Sequence, residues 1–207
     1  MAIALKKTLH ANNVHREDVV TKRQKWVEMQ PTFDLSSLVF VDESSINCGM
    51  TRLYARSDRK ERVNDYVPDI RFERTTIISS IRLDGEQAPF MFKGSLNGEL
   101  FSAYILEVLA PTLRAGDIVV IDNLSAHKVC GALDPIYQKG ATVMFLPPYS
   151  PDFNPIELCW SKLKSIIRKY KPRCIDSLLE TMKTALDWIT ESDIEGWFKH
   201  CGYRVYA

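Results

Sequence analysis

Apolar positions follow two regimes along the chain. Up to residue 35 they are sparse and helically spaced: Val19, Arg23, Trp26 and Val27 fall at i, i+4, i+7 and i+8, on one face of a helix that Pro31 ends. From Ser36 they gather into short runs between turn residues. SLVFVDES (37–44) predicts a buried strand. RTTIISSIRL (74–83) and QAPFMFKG (87–94) flank Asp84-Gly85 and predict a hairpin, because Asp-Gly suits a turn that needs positive φ. TRLYARS (51–57) reads as a further short strand. Asn97-Gly98 opens a helix with Phe101, Tyr104, Ile105, Val108 and Leu109 at helical spacing, closed by Pro111 and Gly116. DIVVIDN (117–123) is a second buried strand, HKVCGALDPIYQKG (127–140) a helix, and TVMFLPP (142–148) a third buried strand. PPYSPDFNP holds four prolines in nine residues, so it is a stiff loop. After it, Ile156, Cys159, Leu163, Ile166, Ile167 and Tyr170 form one stripe of an amphipathic helix. DSLLETMKTALDWIT is another, with Asp176 as N-cap, and SDIEGWFKHCGY a last short one. This order predicts a mixed α/β fold with helices on both faces of a central sheet.

Residues 1–35 carry Lys6, Lys7, Arg16, Lys22, Arg23 and Lys25 and no obvious apolar partner of their own. Two readings stand: a linker or remnant helix of a missing upstream module, or a helix packed on the main domain, which spans 36–207. A length of 207 residues suits one ordinary domain, and 45% apolar with 26% charged residues excludes wholesale disorder and fibrous repeats. The apolar runs are strand-sized, and MAIALKK places apolar residues before its charges, the reverse of a secretory signal. Five cysteines without a CxxC pair suggest neither a disulfide framework nor a zinc knuckle, and a reduced cytosolic protein follows. The net charge of +1 says nothing of partners, so the distribution of charge decides.

Two buried runs end alike: Val39-Phe40-Val41 in Asp42, and Ile118-Val119-Val120-Ile121 in Asp122. Carboxyl ends of buried strands are where open α/β sheets place ligands. Were the two strands parallel neighbours, the carboxylates would emerge about 5 Å apart and repel by roughly 3 kcal/mol at an effective dielectric near 20, so they would need a cation or a raised pKa. The alternative is that each aspartate caps a following turn. Glu43 points to the opposite face and is not paired with Asp122. Glu157 reads first as a capping box, with Asn154 at the N-cap and Pro155 at the first helical position. Its loop nevertheless leaves the third strand at the same sheet edge. Lys162, Lys164, Arg168, Lys169, Lys171 and Arg173 follow on the same helix, with Lys164 and Arg168 on the Glu157 face, and Arg52, Arg56, Arg59, Lys60 and Arg62 form a second cluster. Such clusters beside carboxylates fit either a polyanion or solvated faces. Asn123 and His127 are open to substrate contact or to turn and cap bonds, and Trp160 to DNA stacking or sheet packing. Trp188 and Trp197 read as core; His10, His15 and His200 as incidental.

FVDES, VVIDNLSAH and LPPYSPDFNPIE together resemble the DDE transposases, specifically the mariner superfamily and its bacterial insertion sequence 630 branch, with 34 residues between Asp122 and Glu157 as in the DD34E pattern. The resemblance implies an RNase H-like fold with Asp42, Asp122 and Glu157 as catalytic and metal-binding residues. It also implies two Mg2+ or Mn2+ ions, double-stranded DNA as substrate, cleavage at transposon ends and strand transfer, at a TA dinucleotide. Asn123, His127, Lys164, Arg168, Arg52 and Arg56 are the candidate DNA contacts. Oxygen-only ligands suit magnesium or manganese, and two such ions against three carboxylates leave net positive charge for a phosphodiester. In this scheme Asp42 bridges both ions, Asp122 holds one and Glu157 the other. Family members carry helix-turn-helix modules upstream, so a homodimer, an upstream-frame DNA-binding partner and a bacterial cytoplasmic, nucleoid-associated location are expected. The competing readings are a stand-alone RNase H-like nuclease and a non-enzymatic remnant that binds DNA or dimerises with a full-length transposase.

Overall fold

The central strand of the sheet is β1 (Leu38–Ile46), whose first four residues are apolar and covered on both faces and which runs on through Asp42 to Ile46. The computed structural model describes residues 12–52, 54–55, 57, 62–69, 72–124 and 130–205. Around β1 lie α1 (Glu17–Met29), β2 (Thr75–Ile81), β3 (Phe90–Lys93), α2 (Gly98–Tyr104), β4 (Ile118–Ile121), α3 (Asp134–Gln138), β5 (Thr142–Phe145), α4 (Pro155–Tyr170), α5 (Ile175–Asp187) and α6 (Glu191–His200). The sheet order is β3-β2-β1-β4-β5. Hairpin pairing makes β1, β2 and β3 antiparallel, while β4 and β5 join in parallel to β1. Gly85, at φ 89°, supplies the positive φ expected of the Asp84-Gly85 turn.

Alternation along β1 splits the core in two. Leu38, Phe40 and Ile46 face α4, α5 and α6, packing with Leu163, Ile167, Leu178 and Phe198. Val39 and Val41 face Phe101, Tyr104, Ile105 and Leu109, from α2 and the wider π turn (Ile105–Leu109) that continues it, and Ile136 of α3. Helices therefore cover both faces, as the order of elements predicts.

The structure departs from the sequence reading in several places. None of the described residues of TRLYARS is in a strand; Leu53 and Arg56 lie outside the described residues. β5 is the sheet edge and only half covered, with Phe145 38% exposed, because an apolar run marks a strand without saying whether a neighbour flanks it. The helix expected over 127–140 is helical only from Asp134, since Pro135 is tolerated in a first turn but would break a helix interior; residues 127–129 lie outside the described residues. Cys174, not Asp176, is the N-cap of α5, with Ser177 bonding back to its backbone N–H. Trp188 is 43% exposed and meets Tyr170 in a tilted contact at 5.8 Å, so it is not core, whereas Trp197 is half-buried and packs against the core.

Helix α1 packs on the main body. Val19 and Trp26 are buried while Val27 is exposed. The Trp26 indole donates to the Tyr203 hydroxyl at 3.3 Å and packs against Phe33, and Gln30 Nε2 donates to the Cys201 carbonyl at 2.8 Å. The apolar partner missing from the sequence around Trp26 comes from the other end of the chain. At the sheet end opposite the carboxyl ends of β1 and β4, Arg82 and Asp117 form a buried bidentate pair at 2.7 and 2.9 Å.

Candidate active site

Parallel pairing of β1 with β4 sets Phe40 opposite Val120, so two residues further the strands deliver Asp42 and Asp122 side by side. β5 pairs with β4 up to Ile121 and Phe145, and the proline loop that follows returns the chain to the same edge, where α4 begins. Asp42, Asp122 and Glu157 thereby line one cleft of about 580 Å³, together with Asn123, Asn154 and the loop prolines. Arg16, Asp18 and Val19 form part of its wall, a contribution of the N-terminal segment that sequence reasoning missed.

Asp42 is buried at 8% exposure, and its Oδ2 accepts a hydrogen bond from Trp160 Nε1 at 3.0 Å. Its pKa lies well above the usual carboxylate value: burial is the main cause, the charge of Glu157 the next and that of Glu43 the third. Glu157 is exposed at the cleft, yet its pKa is also raised, first by desolvation; Lys164 opposes the shift, and Asp122 and Glu43 add to it. Glu43, set aside because it lies on the other strand face, thus acts electrostatically on both. Trp160 turns out to be the residue that holds Asp42. The signal was its position three residues after Glu157, on the inward face of α4, but only packing shows where its N–H goes.

The capping-box reading of Glu157 does not hold. Asn154 is the N-cap, but its side chain makes no cap bond, and its own N–H donates to the Pro151 carbonyl at 3.1 Å. Among the described residues, the buried Asn154 Oδ1 has no hydrogen-bond partner. The turn-capping reading of Asp122 holds for one oxygen, since Oδ1 accepts from Leu124 N–H at 2.9 Å. Asn123 Nδ2 donates to the Leu146 carbonyl at 2.6 Å, tying the ends of β4 and β5 at the cleft wall. Among the candidate DNA contacts, Lys164 acts on Glu157, whereas Arg168 and Arg52 do not line the cleft. His127, Arg56, Arg59 and Lys60 lie outside the described residues. Three cations after Glu157 bind the protein itself: Lys162 reaches Asp193, Lys171 reaches Asp65, and Arg173 donates to the Cys48 carbonyl and Thr51. Of these only Lys162 lies on α4, Lys171 and Arg173 following its end, and together the three ties leave fewer charges along residues 157–173 for a polyanion than the sequence suggests.

Three carboxylates facing one cleft, two of them destabilised in their charged forms first by burial and then by neighbouring acids, are a donor set suited to a hard divalent cation. Among the described residues no three such groups are drawn tightly enough to enclose an ion; the cleft gathers them without clenching. Also among the described residues, no helix is long and apolar enough to cross a membrane.

The sequence model of one protein family, described as the DDE superfamily endonuclease, matches residues 37–179. No curated protein matches the chain in sequence. Solved structures resemble it in shape. The Mos1 transposase paired-end complex with left transposon end superposes with a TM-score of 0.74 at 12% identity, over 97% of this chain and 62% of that one. The catalytic domain of Mos1 mariner transposase superposes with a TM-score of 0.62 at 12% identity, over 96% and 91%. A Mos1 paired-end complex with Mg gives 0.74 at 12% identity, over 97% and 65%. The chain thus has the RNase H-like fold and spans less than two thirds of the first of these relatives.

Proposed function

Because the chain belongs to the DDE superfamily endonucleases, we propose that it is a transposase catalytic domain that cleaves DNA phosphodiester bonds at transposon ends and joins them to target DNA by cut-and-paste transposition. The observation that carries this reading is the meeting of Asp42, Asp122 and Glu157 in one cleft. The 34-residue spacing of Asp122 and Glu157 and the LPPYSPDFNPIE block support the insertion sequence 630 branch. Double-stranded DNA as substrate and a homodimer draw support from the Mos1 transposase paired-end complex with left transposon end. A TA target, an upstream-frame DNA-binding partner and a bacterial cytoplasmic, nucleoid-associated location belong to the same reading.

Asp42, Asp122 and Glu157 would hold two Mg2+ or Mn2+ ions; Mos1 complexes with Mn and with Mg support that choice. Bound there, the ions supply Lewis-acid stabilisation of the attacking and leaving oxygens. The chain's own part is to pre-arrange charge. Trp160 fixes one oxygen of Asp42, Asn123 ties the cleft wall, and Lys164 offsets the negative charge beside Glu157. The elevated pKa values of Asp42 and Glu157 mean that cation binding displaces protons wherever these carboxyls are still protonated, so affinity rises with pH until both are ionised.

The test is nicking of a DNA duplex carrying the element ends, with Mn2+ or Mg2+. Asp122→Asn is expected to keep the fold by circular dichroism and to lose metal-dependent nicking; retained nicking overturns the scheme. Pre-cut ends offered with a target separate a transposase from a nuclease that cleaves without joining. Calorimetry of Mn2+ with wild type and Asp42→Ala separates a working centre from a remnant.

A further inference from the structure

Helix α1 does more than cover the core. Arg23 reaches from it to the proline loop, where Nη1 donates to Ser150 Oγ at 2.7 Å and to Asp152 Oδ1 at 2.9 Å. Nη2 donates to Asp152 Oδ2 at 2.6 Å, Nη1 also reaches the Tyr149 carbonyl at 3.4 Å, and the guanidinium lies 4.4 Å from the centre of the Phe153 ring. Asn13 adds a hydrogen bond to the Tyr149 hydroxyl at 3.0 Å. One side chain therefore grips Tyr149, Ser150, Asp152 and Phe153. The two-pronged bond to Asp152 needs the planar guanidinium fork.

The gripped segment leads straight to Glu157. Tyr149 turns the chain at φ 56°, unusual for a residue other than glycine, so the loop needs external ties to stay in place. Phe153 N–H then bonds the Ser150 carbonyl, Asn154 N–H the Pro151 carbonyl and Glu157 N–H the Asn154 carbonyl, at 3.1, 3.1 and 3.2 Å. Pro151 and Pro155 stiffen this chain of turns, so a displacement at one end is passed on rather than absorbed. We propose that Arg23 is a positioning residue for Glu157: by clamping residues 149–153 it sets the start of α4, and with it the place of the Glu157 carboxylate relative to Asp42 and Asp122. The consequence for metal rests on the reading of the three carboxylates as one centre; the mechanical part does not.

Docking of α1 as a whole rests on Val19 and Trp26, which leaves the clamp separable from general stability. The experiment uses the full chain with Arg23→Met and, from the other side, Asp152→Asn. Amide hydrogen exchange needs neither metal nor DNA: Phe153, Asn154 and Glu157 are expected to exchange about tenfold faster in both variants, while the amides of the middle of α4 keep their rates. Unchanged exchange at 153–157, with fraying confined to α1, overturns the proposal. Calorimetry with Mn2+ is expected to show affinity about tenfold weaker in both variants; wild-type affinity in folded variants overturns it equally. Should the wild type bind no Mn2+, the metal-centre reading fails by itself, and the exchange rates still decide the clamp.

Discussion

Asp42 shows what a single residue carries at this site. Burial and the charges of Glu157 and Glu43 raise its pKa, so in the metal-free protein it binds protons more readily when folded than when unfolded. The contribution of Asp42 to stability is then greatest at low pH, opposite in sign to that of carboxyls held down by partners, such as Asp193. It falls as pH rises from about 4, the unfolded carboxylate value, through the raised native value. Asp42→Asn is expected to flatten that fall and raise the melting temperature at neutral pH while abolishing nicking; thermal melts across pH check it. Trp160→Phe removes the donor to Asp42 but keeps an apolar ring. It should cost about 1–3 kcal/mol of stability, read by denaturant unfolding, and lower nicking of the folded fraction. Asp42 was legible from the pattern of apolar residues running into an acid. Trp160 was not, because a tryptophan on the inner face of a helix reads equally well as packing.

Among the elements, the instructive contrast is between α4 and α1. The stripe of α4 and the prolines before it were plain, since helical periodicity is a local property of the chain. The docking of α1 was open, since its partners Tyr203 and Cys201 lie at the far end of the sequence. Trp26→Ala should destabilise by about 3–5 kcal/mol, measured by chemical denaturation, because a buried ring leaves a cavity that the helix cannot close. At the opposite end of the sheet, Asp117→Asn takes from the buried Arg82 cation its two-pronged charged partner and leaves the longer contacts to Asp84 and Glu86, at 3.8 and 3.9 Å, and the Ser36 carbonyl. A loss of about 3–5 kcal/mol is expected, and nicking measured well below the melting temperature should survive. β5 was read as buried because an apolar run reports hydrophobicity and not neighbours, and the edge position became visible only with the whole sheet.

For the molecule as a whole, the fold gathers several acids around one cleft, and under the proposed function a bound cation would relieve their repulsion. Mn2+ at a hundred times its dissociation constant should stabilise the folded chain by about 2.7 kcal/mol, seen as a rise in melting temperature that Asp122→Asn lacks. The chain's own residue order settled the mixed α/β class, the apolar runs that lead into Asp42 and Asp122, and the helix that carries Glu157, since periodicity, turn residues and spacing are written locally; that β1 continues past Asp42 to Ile46, paired with β2, was not written there. Tertiary structure alone decided the rest: the cap not made by Glu157, the bond from Trp160 to Asp42, the ties of Lys162 in α4 and of Lys171 and Arg173 after it to the protein's own groups, and the reach of Arg23 to the proline loop. Each of these joins side chains through space, and distances across the fold are set by packing rather than by any one stretch of chain.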